Sequence, residues 1–117
     1  MSEATSDCLF CRIIRGEIPA KKVYEDDQVF AFEDISPKAP THVLIIPKKH
    51  FAGLTEAEAA DAEVIGRCHL AAAQIARDRN IENGYRTVLN VGPGAGQSVF
   101  HLHVHLLGGR PLAWPPG

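Results

Sequence analysis

Gln97-Ser-Val-Phe-His-Leu-His-Val-His-Leu-Leu107 is the stretch that decides how the chain is read. Histidine and apolar residues alternate through it, and side chains at period two on a β-strand point to opposite faces. His101, His103 and His105 therefore share one face, and Leu102, Val104 and Leu106 share the other. Solvated strand faces usually carry Thr, Lys or Glu, so a row of imidazoles points to chemistry. Strand neighbours two residues apart can share a metal ion. His101 and His105, separated by about 13 Å, cannot, so the row as a whole is not one zinc centre. It offers instead a middle imidazole, His103, with one on either side to orient it or shift its protonation.

Immediately upstream, Gly92-Pro-Gly-Ala-Gly96 delivers the chain into this row. The amides of Gln97 and Ser98, at the end of so flexible a turn, can approach an anion beside His103, whereas Pro93 has no amide hydrogen to offer. Together the elements suggest phosphoryl or nucleotidyl transfer with a histidine nucleophile and fixed donors on the developing charge.

Working outward, Arg86-Thr-Val-Leu-Asn-Val91 reads as a strand, and His42-Val-Leu-Ile-Ile46 as a near-continuous apolar strand closed by Pro47. Val23-Tyr24 and Val29-Phe-Ala-Phe32 form a hairpin about the polar stretch Glu25–Gln28. Thr55-Glu-Ala-Glu58 has capping-box form, and Ala57, Ala60, Val64, Cys68, Ala71 and Ile75 recur at helical steps. They predict one long helix over about residues 55–80. A short helix over 8–16 has Asp7 as N-cap and Gly16 as stop. The expected fold is α+β: an antiparallel sheet of about five strands with one long helix and one short N-terminal helix.

With 117 residues, 45% of them apolar, the chain suits a single domain, with 1–7 as a flexible N-terminus and 111–117 as a C-terminal tail. A net charge of −2 argues against a nucleic-acid-binding surface, which needs clustered cations. The strongly apolar run Val43–Ile46 is far short of a membrane span, and the acidic N-terminus does not resemble an export signal, so a cytoplasmic protein is expected. Three cysteines are an odd number. Cys8-x-x-Cys11 reads as metal-binding or redox, or as two small packed residues on a helix face, while Cys68 stands alone and His69 reads as a surface or packing residue of the helix.

The run 97–107 resembles the histidine triad pattern. Asp34-Ile-Ser-Pro37, Ala39-Pro-Thr-His42, Pro47-Lys-Lys-His50, Gly108-Gly-Arg110 and Trp114-Pro-Pro-Gly117 are similar to the Hint branch of that superfamily. The resemblance implies a homodimeric hydrolase that binds purine nucleoside monophosphates and cleaves the P–N bond of their phosphoramidates. It makes His103 the nucleophile, with His105 and the amides around Ser98 on the phosphate and His42 completing the cluster. Asp34 would accept the ribose hydroxyls, and Phe10, Ile13, Phe32, Ile35 and Leu44 would form the base pocket. Asn90, Gly96 and Gln97 would line the site, and Trp114 would reach the partner's site across the dimer. Members with Cys-x-x-Cys use it with two histidines, here His50 and His101, which implies a structural Zn2+ on Cys8, Cys11, His50 and His101 and no metal in catalysis. Two other functions stand beside this one. A dinucleoside polyphosphate hydrolase of the Fhit-like branch shares the triad and a similar glycine-rich loop, and a nucleotide-binding scaffold would hydrolyse only incidentally.

Overall fold

The computed structural model describes residues 8–117. Its elements in chain order are α1 (Leu9–Ile14), β1 (Lys22–Glu25), β2 (Val29–Glu33), β3 (Thr41–Pro47), α2 (Ala62–Asp78), β4 (Tyr85–Val88) and β5 (Val104–Gly108). The five strands form one antiparallel sheet in the order β1-β2-β3-β5-β4. This is the α+β architecture expected, with one long helix.

Strand alternation sorts the sheet into two faces. On one, Val29, Ala31, Val43, Ile45, Val104 and Leu106 pack against the α2 stripe of Val64, Cys68, Ala71, Ala72 and Ile75. On the other, Phe30, Phe32, Leu44 and Ile46 pack under Phe10 and Ile13 of α1. Each such fully buried large side chain contributes about 1.5–3 kcal/mol relative to exposure. The six-residue α1 covers only part of its face. His42, two residues before Leu44, and His105, paired with Leu44 across the ladder, lie on the part it leaves open.

Three boundaries differ from expectation, each for a local reason. The long helix begins at Ala62, not near Thr55, because Ala57 is extended (ψ 150°) and breaks the phase after a single 3-10 turn at Leu54–Glu56. The turn that starts it is fixed by Asp61, whose carboxylate accepts from the Glu58 amide at 2.9 Å and from Lys49 at 2.6 Å. Strand β5 begins at Val104, not near Ser98. Continued upstream, its register would set Leu102 opposite Pro47, which has no N–H to donate and whose carbonyl is taken by His101 Nε2 at 2.7 Å. With β5 starting there, residues 90 and 91 fall opposite no β5 residue, and the ladder of β4 ends at the Val88–His105 pair instead of reaching Val91. The N-cap of α1 is Cys8, whose Sγ accepts from the Cys11 amide; the expected cap Asp7 lies outside the described residues.

Candidate active site and metal cluster

Three imidazoles meet at the open face. His42 Nε2 lies 2.9 Å from His105 Nδ1, and the rings of His103 and His105 are 5.1 Å apart. Backbone partners assign the protons. The Lys38 amide can only donate, and it reaches His42 Nδ1 at 3.0 Å, so the proton of neutral His42 sits on Nε2. That Nε2–H donates to His105 Nδ1, which puts the His105 proton on its own Nε2. The His101 carbonyl can only accept, and it lies 2.8 Å from His103 Nδ1. His103 therefore carries its proton on Nδ1 and keeps a lone pair on Nε2. The cluster presents one unprotonated ring nitrogen and, on the neighbouring ring, one N–H donor.

Burial keeps these rings neutral. Desolvation pushes His105 down to about 4, with His103 and His42 pushing the same way and Asp34 opposing. It also lowers His42 and His103, again against the attraction of Asp34. A neutral His103 is the form with a lone pair to give.

An open cavity of about 400 Å³ adjoins the cluster, lined by Asp34, Ser36, Lys38, His42, Val88, Asn90, His105 and Leu107. Its size falls in the range of small-ligand sites. Asp34 holds its own loop, accepting the Ser36 amide on Oδ1 at 2.7 Å, while Oδ2 lies 3.4 Å from His42 Nε2. Asn90 is half-buried on the cavity wall. Sequence reasoning missed Ser36, Lys38, Val88 and Leu107. For Lys38 no side-chain signal existed, because its backbone amide sets the proton positions.

The remaining predicted residues divide. Phe10, Ile13, Phe32 and Leu44 are buried together beneath α1, whereas Ile35 is 98% exposed and stands apart from that group. Gln97 is buried and shapes the glycine-rich loop, its Oε1 accepting from Gly92 N at 2.8 Å and its Nε2 donating to Ala52 O at 2.6 Å. Gly96 closes the 3-10 turn 93–95 at φ 94°, a left-handed conformation suited to glycine. Ser98 is exposed. Trp114 is 84% exposed and does not line the cavity. The row of three imidazoles is also corrected. The rings beside His103 are His105 and Phe10, each at 5.1 Å, while His101 meets it through a carbonyl and turns its own ring elsewhere.

That ring enters a second cluster. Cys8 Sγ, Cys11 Sγ, His50 Nδ1 and His101 Nδ1 all lie within 4.8 Å of one another. The His101 Nε2–H donates to the Pro47 carbonyl, which leaves its Nδ1 lone pair facing the thiols. Separations of 3.4 Å (Cys8–His101), 3.4 Å (Cys11–His50), 3.6 Å (Cys11–His101) and 3.2 Å (His50–His101) surround a common centre. A tetrahedral ion bound at about 2.0–2.3 Å sets its ligands roughly 3.3–3.8 Å apart, so the four atoms fit such an ion. Asp34, His42 and His105 also converge, but a metal there would need the His42 Nε2 lone pair, and the Lys38 amide holds the proton at that nitrogen. Cys68 is fully buried in the α2 core, its thiol pushed up to about 12 chiefly by desolvation, and His69 is exposed.

The sequence model of the HIT domain matches residues 15–112, and the chain belongs to that family. It is similar to a HIT family hydrolase from Legionella pneumophila Philadelphia 1, with a TM-score of 0.92 and 50% identity over 95% of this chain and all of that one. A 14 kDa zinc-binding protein of Zea mays is 51% identical over 96% of this chain and 89% of its own length. A protein of Arabidopsis thaliana named adenylylsulfatase HINT1 is 46% identical over 96% of this chain and 78% of its own.

Proposed function

We propose that the chain is a nucleotidyl hydrolase that cleaves the P–N bond of purine nucleoside phosphoramidates through a nucleotidyl-histidine intermediate. One observation carries the reading: the fixed tautomers leave His103 Nε2 unprotonated beside the Nε2–H of His105. A lone pair and a hydrogen-bond donor on adjacent rings suit a nucleophile and a phosphate-oxygen partner. His103 Nε2 attacks the α-phosphorus, the P–N bond breaks, and its electron pair leaves with the amine, which takes up a proton. Water then displaces His103 from phosphorus, releasing the nucleoside monophosphate. His105 and the amides about Ser98 hold the phosphate, Asp34 accepts the ribose hydroxyls, and Phe10, Ile13, Phe32, Ile35 and Leu44 receive the base.

In the same reading Cys8, Cys11, His50 and His101 hold a structural Zn2+. When bound, the ion supplies a tetrahedral cross-link with every position filled by protein, and no bond-making step uses it. The name of the maize relative and the ligand separations support this. Metal analysis of tag-free protein tests it: no zinc, with Cys8 and Cys11 both freely alkylated, would rule it out.

A second leaving group has its own support in the name of the Arabidopsis relative. Adenylyl sulfate would yield the same nucleotidyl-histidine with sulfate departing in place of an amine. Steady-state hydrolysis of an adenosine phosphoramidate, adenylyl sulfate and a dinucleoside polyphosphate, run side by side, ranks the three. Preference for the dinucleotide would move the chain to the Fhit-like activity, and tight nucleoside monophosphate binding with negligible turnover of all three would make it a binding protein.

A further inference from the structure

Sheet pairing does not hold His103. The β3–β5 ladder stops at the Ile45–Val104 pair, so residues 101–103 lie upstream of it, with the Leu102 amide bonded to the Phe51 carbonyl at 2.9 Å. The contacts that orient the His103 ring lead instead to the cysteine–histidine cluster. His101 is fully buried and its ring is engaged at both nitrogens, Nε2 on the Pro47 carbonyl at 2.7 Å and Nδ1 facing Cys8 Sγ at 3.4 Å and His50 Nδ1 at 3.2 Å. The carbonyl of this pinned residue accepts the His103 Nδ1–H. Phe10, between the two cysteines in sequence, sets its ring edge-on against both His101 (5.9 Å, 67°) and His103 (5.1 Å, 88°).

We infer that the Cys8, Cys11, His50 and His101 cluster, when it holds its metal ion, positions the attacking imidazole, with His101 and Phe10 as the residues that transmit the order to His103. The inference rests on the reaction proposed above. An ion on these four side chains joins the start of α1, the loop after β3 and the segment before β5; the first and third meet His103 through Phe10 and the His101 carbonyl, and the second holds the Leu102 amide through Phe51. Without the ion, the peptide that carries the His101 carbonyl is held only by the Leu102 N–H on the carbonyl of Phe51, the neighbour of His50, and by His101 Nε2 on Pro47, so a shift of the His50–Phe51 loop moves that carbonyl. The His103 proton can then move to Nε2, the nitrogen that must attack, and the ring can swing. Misplacing a reacting group by about 1 Å costs on the order of 100-fold in rate, while the Asp34 contact to the ribose lies outside this path.

The full chain is compared in zinc-loaded form, stripped by a chelator, and as His50→Gln. Three quantities are read: kcat and KM on an adenosine phosphoramidate, Kd for adenosine monophosphate by calorimetry, and the 15N resonances of the His103 ring. On stripping, kcat is expected to fall about 10- to 100-fold, with the monophosphate Kd changed by a much smaller factor. The His103 ring is expected to pass from the Nδ1–H tautomer to a mixture, and zinc added back should restore both. A stripped enzyme whose kcat stays within about twofold while His103 remains Nδ1–H would overturn the inference and leave the cluster a purely structural clip. Should the stripped protein unfold, His50→Gln, which keeps three of the four ligands, decides by the same readouts. Failure of the underlying reaction is separate: it shows as turnover by zinc-loaded His103→Ala.

Discussion

The Nδ1–H of His103 donates to the carbonyl of His101 over 2.8 Å, and this one bond gives two neighbouring histidines opposite duties. The side chain of His101 faces the thiols of Cys8 and Cys11, and its backbone carbonyl takes the proton of His103. A residue two positions along then keeps its lone pair on Nε2 without any charged group to force it. The same economy recurs at Lys38, whose amide, rather than its ammonium, fixes the protons of His42 and His105.

Replacing the proposed nucleophile should separate binding from chemistry. His103→Ala is expected to lose nearly all turnover, at least about tenfold and typically far more, because the covalent route is closed. Nucleoside monophosphate affinity should persist, and thermal unfolding should show the fold intact. Turnover at a tenth of the wild-type rate or better would assign the attack to another group.

Asp34 makes a prediction that can be read in the substrate instead of the enzyme. Its Oδ1 is engaged by the Ser36 amide, and Asn can keep that turn while losing the charge. A hydrogen bond to a charged acceptor is worth about 1.5–3 kcal/mol, so Asp34→Asn should raise KM for a ribonucleoside phosphoramidate by roughly tenfold or more, with kcat little changed. A 2′,3′-dideoxy substrate should be processed equally by both proteins. If the variant weakens both substrates alike, Asp34 shapes the loop and does not read the ribose.

The pattern of side chains made much of this legible in advance. Alternating His and apolar residues marked the histidine-bearing segment, the hairpin and the apolar run 42–46 marked the sheet, and the periodic alanines marked α2. The parts that were not legible are set by backbone atoms. Nothing in residue type says that the Pro47 carbonyl will capture an imidazole, yet that bond caps β3, delays β5 to Val104 and turns His101 out of the row. Ile35, set in the base pocket by the family resemblance and not by its own pattern, is 98% exposed and stands apart from buried Phe10, Ile13, Phe32 and Leu44. The helix start was displaced because a single extended residue, Ala57, breaks a helical period that composition alone carries through.

Stability should depend on pH in a direction fixed by the buried rings. Burial lowers His42 and His105 from the ordinary value of 6.5, His105 to about 4, so between these limits the folded chain binds fewer protons than the unfolded one. Their contribution is complete above pH 6.5 and is lost as pH falls toward 4. At pH 5 the loss from His105 is on the order of 1–2 kcal/mol. The denaturant midpoint should therefore fall between pH 7 and pH 5, and His105→Asn should flatten the dependence. An unchanged wild-type midpoint over that interval would mean that these rings are protonated in the folded state as readily as in water.

The C-terminal tail supplies the test of assembly. Arg86 Nη2 donates to the Ala113 carbonyl at 2.7 Å and so ties the tail to β4, while Arg110, the residue before the tail, donates from Nε to the Lys38 carbonyl at 3.1 Å. The β4 strand is an edge of the sheet, and a sheet edge presents unpaired backbone groups to a second copy. Trp114, 84% exposed, gains nothing from the single chain, and a large aromatic left so open is suited to cover a ligand or a partner. Truncation after Arg110 is expected to lower the mass in solution from dimer to monomer and to change the ranking of phosphoramidates by the size of their amine. Unchanged mass together with an unchanged ranking would leave the tail with neither an assembly role nor a recognition role. A changed ranking at constant mass would confine Trp114 to the leaving group.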